Sequence, residues 1–206
     1  MNLHEFYTHK AYDQKTELQA ITKHLTGSVL FVGDYSATLA KNYPESHAAV
    51  FNQELLFELQ TTNEEDIKYA AATKQHLPYP DNTFTTIIAA YNKTHTNPRI
   101  LEELKRVSKN NIILIEATTS EYTQTLQQIL PKPVPDINSL YEELGEYNII
   151  EETLTSTYTF KDKEEFSKYL QTELKEHEQE NIEKEEIAKH YKPTLQEQAT
   201  LLICTQ

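Results

Sequence analysis

The residues best suited to chemistry lie in a turn that follows the apolar run Thr85-Thr86-Ile87-Ile88-Ala89-Ala90. It reads Tyr91-Asn92-Lys93-Thr94-His95-Thr96. His95 carries an imidazole that titrates near neutral pH, the chemistry of a general base. Tyr91 and Asn92 bring a hydroxyl and an amide suited to orienting a bound ligand. A plainer reading stands beside this one, because a loop histidine, one of eight in the chain, is more often an idle surface residue. Cys204 sits in the apolar run Leu201-Leu202-Ile203-Cys204, which reads as a buried strand rather than a nucleophile's setting. The pairs His4/His9 and His177/His190 lack the surrounding ligand spacing of a zinc site, so no metal is expected.

The elements that must position these residues alternate between two patterns. Residues 3–25 read as one amphipathic helix or two short ones, with Leu18, Ile21 and Leu25 on one face and Gly27 as the C-terminal cap. Ser28-Val29-Leu30-Phe31-Val32 is a continuous apolar run between glycines, the mark of a strand buried on both faces. A turn over Gly33–Ser36, a short helix, and a second strand over His47–Phe51 follow, then a helix over Gln53–Gln60. Ile67–Ala71 is a weak third strand and Thr85–Ala90 a strong fourth. Asn97 is placed as an N-cap with Pro98 at the first helical position, and Ile100, Leu101, Leu104 and Val107 form that helix's apolar stripe. Asn111–Glu116 is the fifth strand. Ser120–Leu130 and residues 137–144 are helical, with prolines 131, 133 and 135 forcing an extended link between them. A β-rich run over 148–160, a charged helix begun by Asp162 and Glu165 and reaching about Lys189, and a strand over Ala199–Thr205 close the chain.

This order calls for a three-layer α/β fold with a mostly parallel sheet, in which ligands sit beyond the carboxyl ends of the strands. Those ends are the turns after Val32, Phe51, Ala71 and Ala90. One segment narrows the reading further. Leu77-Pro78-Tyr79-Pro80-Asp81-Asn82-Thr83-Phe84, the strand after it, the helix ending Lys105-Arg106-Val107 and the strand ending Glu116 resemble the middle of class I S-adenosylmethionine-dependent methyltransferases, the UbiE-like type 11 group. In that group the run reads roughly L-P-F-P-D-N-S-F-D, and a helix ends R-V-L-K-P-G-G before the next strand. The resemblance extends loosely over the rest of the chain and implies a seven-stranded Rossmann-like sheet with an antiparallel last strand.

The resemblance also implies a cofactor, S-adenosylmethionine, and residues to hold it. The family's first turn reads D-x-G-x-G-x-G. Here it reads Phe31-Val32-Gly33-Asp34-Tyr35-Ser36-Ala37, so Gly33 keeps the first glycine while Tyr35 and Ala37 replace the next two. Asn52 stands where the family places the carboxylate that binds the ribose, and Thr73 where an aspartate faces the adenine. Gly33, Asp34, Tyr35, Asn52 and Thr73 are therefore the implied cofactor contacts, with His95 and Tyr91 toward the acceptor. For Asn52 the competing role is a helix N-cap, and for the first turn a strand-to-helix connection without a ligand. Arg106-Val107-Ser108-Lys109-Asn110-Asn111 replaces the family's glycine-rich turn.

Composition bounds the alternatives. With 206 residues and no linker or repeat, one domain is expected: a helical segment over 1–26, the sheet, and a charged helix over 161–192 before the last strand. Mean hydropathy of -0.65 and the absence of a long apolar run exclude a membrane span, and one cysteine without a signal segment points to the cytoplasm. Net charge is -13, and residues 121–206 hold 18 acidic against 8 basic residues, so direct nucleic-acid binding by the isolated chain is not expected. Two functions remain: transfer of a methyl group to an unknown acceptor, or a methyltransferase-like scaffold subunit without catalysis. The second would dock a protein partner or another copy through the acidic half. A dinucleotide oxidoreductase fits poorly, since G-x-G-x-x-G is absent after the first strand.

Overall fold

The computed structural model describes residues 14–62, 66–92, 97–118, 124, 125, 128, 137–176 and 187–206. Its elements in chain order are α1 (Gln14–Thr22), β1 (Val29–Val32), α2 (Asp34–Ala40), β2 (His47–Val50), α3 (Gln53–Thr61), β3 (Lys68–Ala71), β4 (Phe84–Ala90), α4 (Pro98–Val107), β5 (Ser108–Ala117), α5 (Asn138–Glu143), β6 (Asn148–Thr159), α6 (Lys163–Glu176) and β7 (Thr194–Thr205). One sheet takes in all seven strands in the order β3-β2-β1-β4-β5-β7-β6. β1 to β5 pair in parallel, while β7 runs antiparallel to both β5 and β6. The sheet order reverses at β1, whose neighbours are β2 and β4.

Strand periodicity explains the two cores. Alternate side chains of a strand face opposite ways, so Leu30, Val32, Ile87, Ala89, Ile112 and Leu114 pack on one face with α4 and α5. Phe31, Ile88, Ala90, Ile113 and Ile115 pack on the other, where α1, α2, α3 and α6 bring Ile21, Leu39, Leu55 and Phe166. Both faces of β1, β4 and β5 are covered, as their unbroken apolar runs require.

The Leu77–Phe84 segment is fixed by one arginine. Arg106 of α4 donates to both carboxylate oxygens of Glu103 at 2.7 Å, to Asp81 at 2.8 Å, and to the carbonyls of Tyr79 and Leu77 at 2.8 and 3.0 Å. Glu103 in turn accepts the Leu77 amide at 2.7 Å. Tyr79, Phe84 and His47 stack edge to face beneath it, with Tyr79 and Phe84 centroids 4.9 Å apart. Proline and asparagine suit the same loop, in which Asn82 has φ 50° and donates its amide to the Arg106 carbonyl.

Three local expectations need correcting. α1 ends at Thr22, so Gly27 does not cap it; a Cβ on Gly27 would fall 2.5 Å from the Thr85 hydroxyl, and close approach to β4 is what demands glycine there. No turn separates α4 from the fifth strand: Ser108 caps the helix and already pairs with Phe84, and a bulge follows before Asn111 meets Thr86. Asn97 holds the N-cap position of α4 but makes no side-chain cap bond. The box at α6 forms, with Asp162 accepting the Glu164 and Glu165 amides at 2.9 Å. Residues 1–13, most of the expected 120–130 helix and the stretch 177–186 lie outside the described residues.

Arg106→Met leaves the Tyr79 and Leu77 carbonyls without this donor and the Glu103 carboxylate with only the Leu77 amide, and should cost about 2–3 kcal/mol in chemical denaturation. The hydrogen bond from Arg106 holds the Glu103 carboxyl below its ordinary value of 4.5. This stabilisation is present above that pH and lost as pH falls through the lower folded value. Glu103→Gln should therefore flatten the acid limb of the stability profile.

Candidate functional site

The turns at the carboxyl ends of β1, β2 and β4 meet around Gly33. Its φ of 92° lies in the region closed to side chains, and its amide donates to the Ala49 carbonyl at 2.9 Å. Ala37 N–H bonds back to the Gly33 carbonyl at 2.9 Å, so α2 begins directly at this residue. Ser36 ties the neighbouring strand in by accepting the Ala90 amide at 2.8 Å.

The space over Gly33 belongs to Asn92. A Cβ on residue 33 would stand 2.0 Å from Asn92 Oδ1 and 2.7 Å from its Nδ2. The same carboxamide donates from Nδ2 to the Val32 carbonyl at 2.7 Å, and Asn92 is 7% exposed. Tyr91 sets this direction. Its amide bonds to the Ile115 carbonyl at 2.7 Å, and its φ of 56° bends the chain as β4 ends.

Asp34 links the first two turns. Its Oδ1 accepts the amides of Phe51 and Asn52 at 2.8 and 2.9 Å. Burial raises the carboxyl's pKa, while these two hydrogen bonds and the charge of Lys74 oppose the rise. Asn52 uses its own Oδ1 to cap α3, accepting the Glu54 and Leu55 amides at 2.9 and 3.0 Å. Thr73 is exposed in a tight turn closed on His76, and its hydroxyl accepts the Gln75 amide at 3.3 Å.

Tyr35 points away from solvent, toward α1. Its hydroxyl donates to Glu17 Oε2, and the hydroxyl of Tyr91 donates to Glu17 Oε1 at 2.6 Å. The two rings meet edge to face, 5.1 Å apart. Glu17 and Tyr35 are each 3% exposed, so a carboxylate with two phenols lies buried between α1 and the sheet. Glu17 was not among the candidates read from the sequence, and Asn92, read there as orienting a ligand, instead lies on Gly33. Glu17 had a local signal: an acid three and four residues before Ala20 and Ile21 shares the buried face of its helix.

The structure thus brings Gly33, Asp34, Tyr35, Asn52 and Tyr91 to one end of the sheet, with Thr73 on an exposed turn beyond β3. His95 lies outside the described residues. Cys204 faces the core, and burial pushes its thiol up to about 12, far from a nucleophile's range. Among the described residues there is no cluster of three or more histidine, cysteine or acidic side chains able to hold a metal. No helix among them is long and apolar enough to cross a membrane.

As these side chains stand, they do not fit S-adenosylmethionine. The backbone conformation at Gly33 suits a close approach, but Asn92 fills it. The oxygens at positions 34, 52 and 73 accept backbone amides of the protein, and the Tyr35 hydroxyl is spent on Glu17. Asp34→Ala should expose this economy of bonds, costing about 2 kcal/mol by freeing two amides. Asp34→Asn keeps an acceptor and sheds the buried charge, and should stay within about 1 kcal/mol of wild type. Since the folded pKa is raised above 3.8, the carboxyl by itself lowers stability as pH rises through the folded value, a slope that Asp34→Asn removes in pH-dependent urea melts.

A scan of protein-family models and a comparison with curated protein sequences gave no match. Solved structures do match. The YcgJ protein of Bacillus subtilis superposes with a TM-score of 0.64 at 14% identity, over 95% of this chain and 99% of that one. A Bacillus halodurans protein provisionally assigned as a methyltransferase gives 0.59 at 14% identity, over 92% and 96%. The geranyl diphosphate C-methyltransferase of Streptomyces coelicolor, solved with Mg2+, geranyl diphosphate and S-adenosylhomocysteine, gives 0.52 at 8% identity, over 93% and 77%. With its strand order and its antiparallel β7, the chain has the Rossmann-like fold of class I S-adenosylmethionine-dependent methyltransferases.

Proposed function

We propose that this protein is an S-adenosylmethionine-dependent methyltransferase acting on an acceptor still to be identified. The observation that carries the reading is Gly33, a glycine with positive φ at the carboxyl end of β1, where the sheet order reverses and ligands of open α/β sheets bind. On this reading Gly33, Asp34, Asn52 and Thr73 belong to the cofactor side and Tyr91 and His95 to the acceptor side, while Tyr35, the fifth cofactor position implied by the resemblance, supports the turn through its bond to Glu17. A sulfonium donor is already activated, so the protein's part is positioning. The amide at position 52 and the hydroxyl at position 73 replace charged partners, which predicts weak binding.

A second reading is favoured by the internal commitment of those same side chains: a scaffold subunit that keeps the fold and supports a partner. Titration calorimetry with S-adenosylhomocysteine, up to millimolar ligand, separates the two. Weak but saturable heat, with label transfer from methyl-labelled S-adenosylmethionine to an extract component, is the expected result. No heat and no thermal shift would sink the enzyme reading for the isolated chain. Stoichiometric recovery of one protein by pull-down and mass spectrometry would then support the scaffold.

A further inference from the structure

We infer that Asn92 determines ligand access to the turn over Gly33: its carboxamide occupies the approach that the glycine opens, and a ligand binds only when that carboxamide withdraws. The inference rests on the methyltransferase reading and adds a residue that sets its affinity. Three observations carry it. First, the contact is close: Asn92 Oδ1 lies 2.0 Å and Cγ 2.7 Å from the place of a Cβ on residue 33, so the amide fills the volume that absence of a side chain provides. Second, it is fastened, since Nδ2 donates to the Val32 carbonyl at 2.7 Å and the residue is 7% exposed. Third, it is aimed. Tyr91 holds a φ of 56°, an unfavourable value for a bulky residue, and its hydroxyl is anchored on Glu17 at 2.6 Å, so the chain turns Asn92 back over β1.

A carboxamide is well suited to this part. It is planar and small enough to lie on a glycine, and its donor bonds the Val32 carbonyl at the end of β1. A single neutral hydrogen bond has a modest net strength, so a ligand of sufficient affinity displaces it. The consequence is a tax on affinity equal to the fraction of molecules in which Asn92 has withdrawn. The ligand class is set by the place: the part of an S-adenosyl compound that lies closest to the β1–α2 backbone.

The test measures S-adenosylhomocysteine binding to the full chain by calorimetry for wild type, Asn92→Ala and Asn92→Asp. Asn92→Ala empties the volume, and Asn92→Asp keeps it while replacing the donor with an oxygen that the Val32 carbonyl repels. Both variants should bind at least about tenfold more tightly than wild type, or saturate where wild type is silent. If Asn92→Ala fails to fold, as its melting curve would show, Asn92→Asp carries the same measurement. Wild-type binding that neither variant tightens tenfold overturns the inference and leaves the methyltransferase reading standing. Silence from all three proteins at millimolar ligand overturns the inference and the methyltransferase reading together.

Discussion

β1 leaves the sheet through a residue that only glycine can occupy, and the arrangement of the whole carboxyl-end face follows from that one backbone angle. With φ at 92°, Gly33 turns the chain sharply into α2, whose residues from Tyr35 to Ala40 are all buried. The sharp turn brings Asp34 to the amides at the start of α3 and Ser36 to the last amide of β4. It also directs Tyr35 back toward α1. A bulkier residue at position 33 would displace Asn92 and unlock the β4 end together with the β1 end.

The segment that most resembles known methyltransferases turns out to be an architectural device. Leu77 to Phe84 spans from the β3 side to β4 under α4, and its polar backbone groups are claimed by Arg106 and Glu103. Its aromatic residues pack on His47 of β2. That pattern therefore answers a requirement of the sheet and its helices. The turns at the carboxyl ends of the strands obey a different constraint: their side chains Asp34, Ser36 and Asn92 tie neighbouring strand ends to one another. This is a physical instance of function residing in sites grafted on a fold.

The fold was legible because β1 is an unbroken apolar run closed by Gly33, β4 and β5 carry apolar runs of their own, and α4 carries its stripe at helical spacing. The cap at Asn52 was legible too, as one of two roles open to that residue. What escaped was non-local. The bulge at Ser108–Asn111 depends on pairing with β4, and Gly27 answers to Thr85 across the sheet rather than to the helix before it. The contact of Asn92 with Gly33 joins residues 59 positions apart and requires the positive φ of Tyr91, which no rule of composition assigns to a tyrosine. Substituted positions could be read as substitutions, but their new partners could not.

The place of β7 carries a consequence for how the chain is made. The last twelve-residue strand inserts between β5 and β6, pairing with β6 along its whole length and with β5 from Asn111 to Ala117. Until residues 194–205 are available, β5 has an open side and β6 has nothing to join it to the sheet. During synthesis the amino-terminal strands can assemble as they emerge, whereas joining β6 to them waits until residues 194–205 have also emerged. Such distant pairing slows folding, and the unfinished intermediate exposes strand edges that invite association.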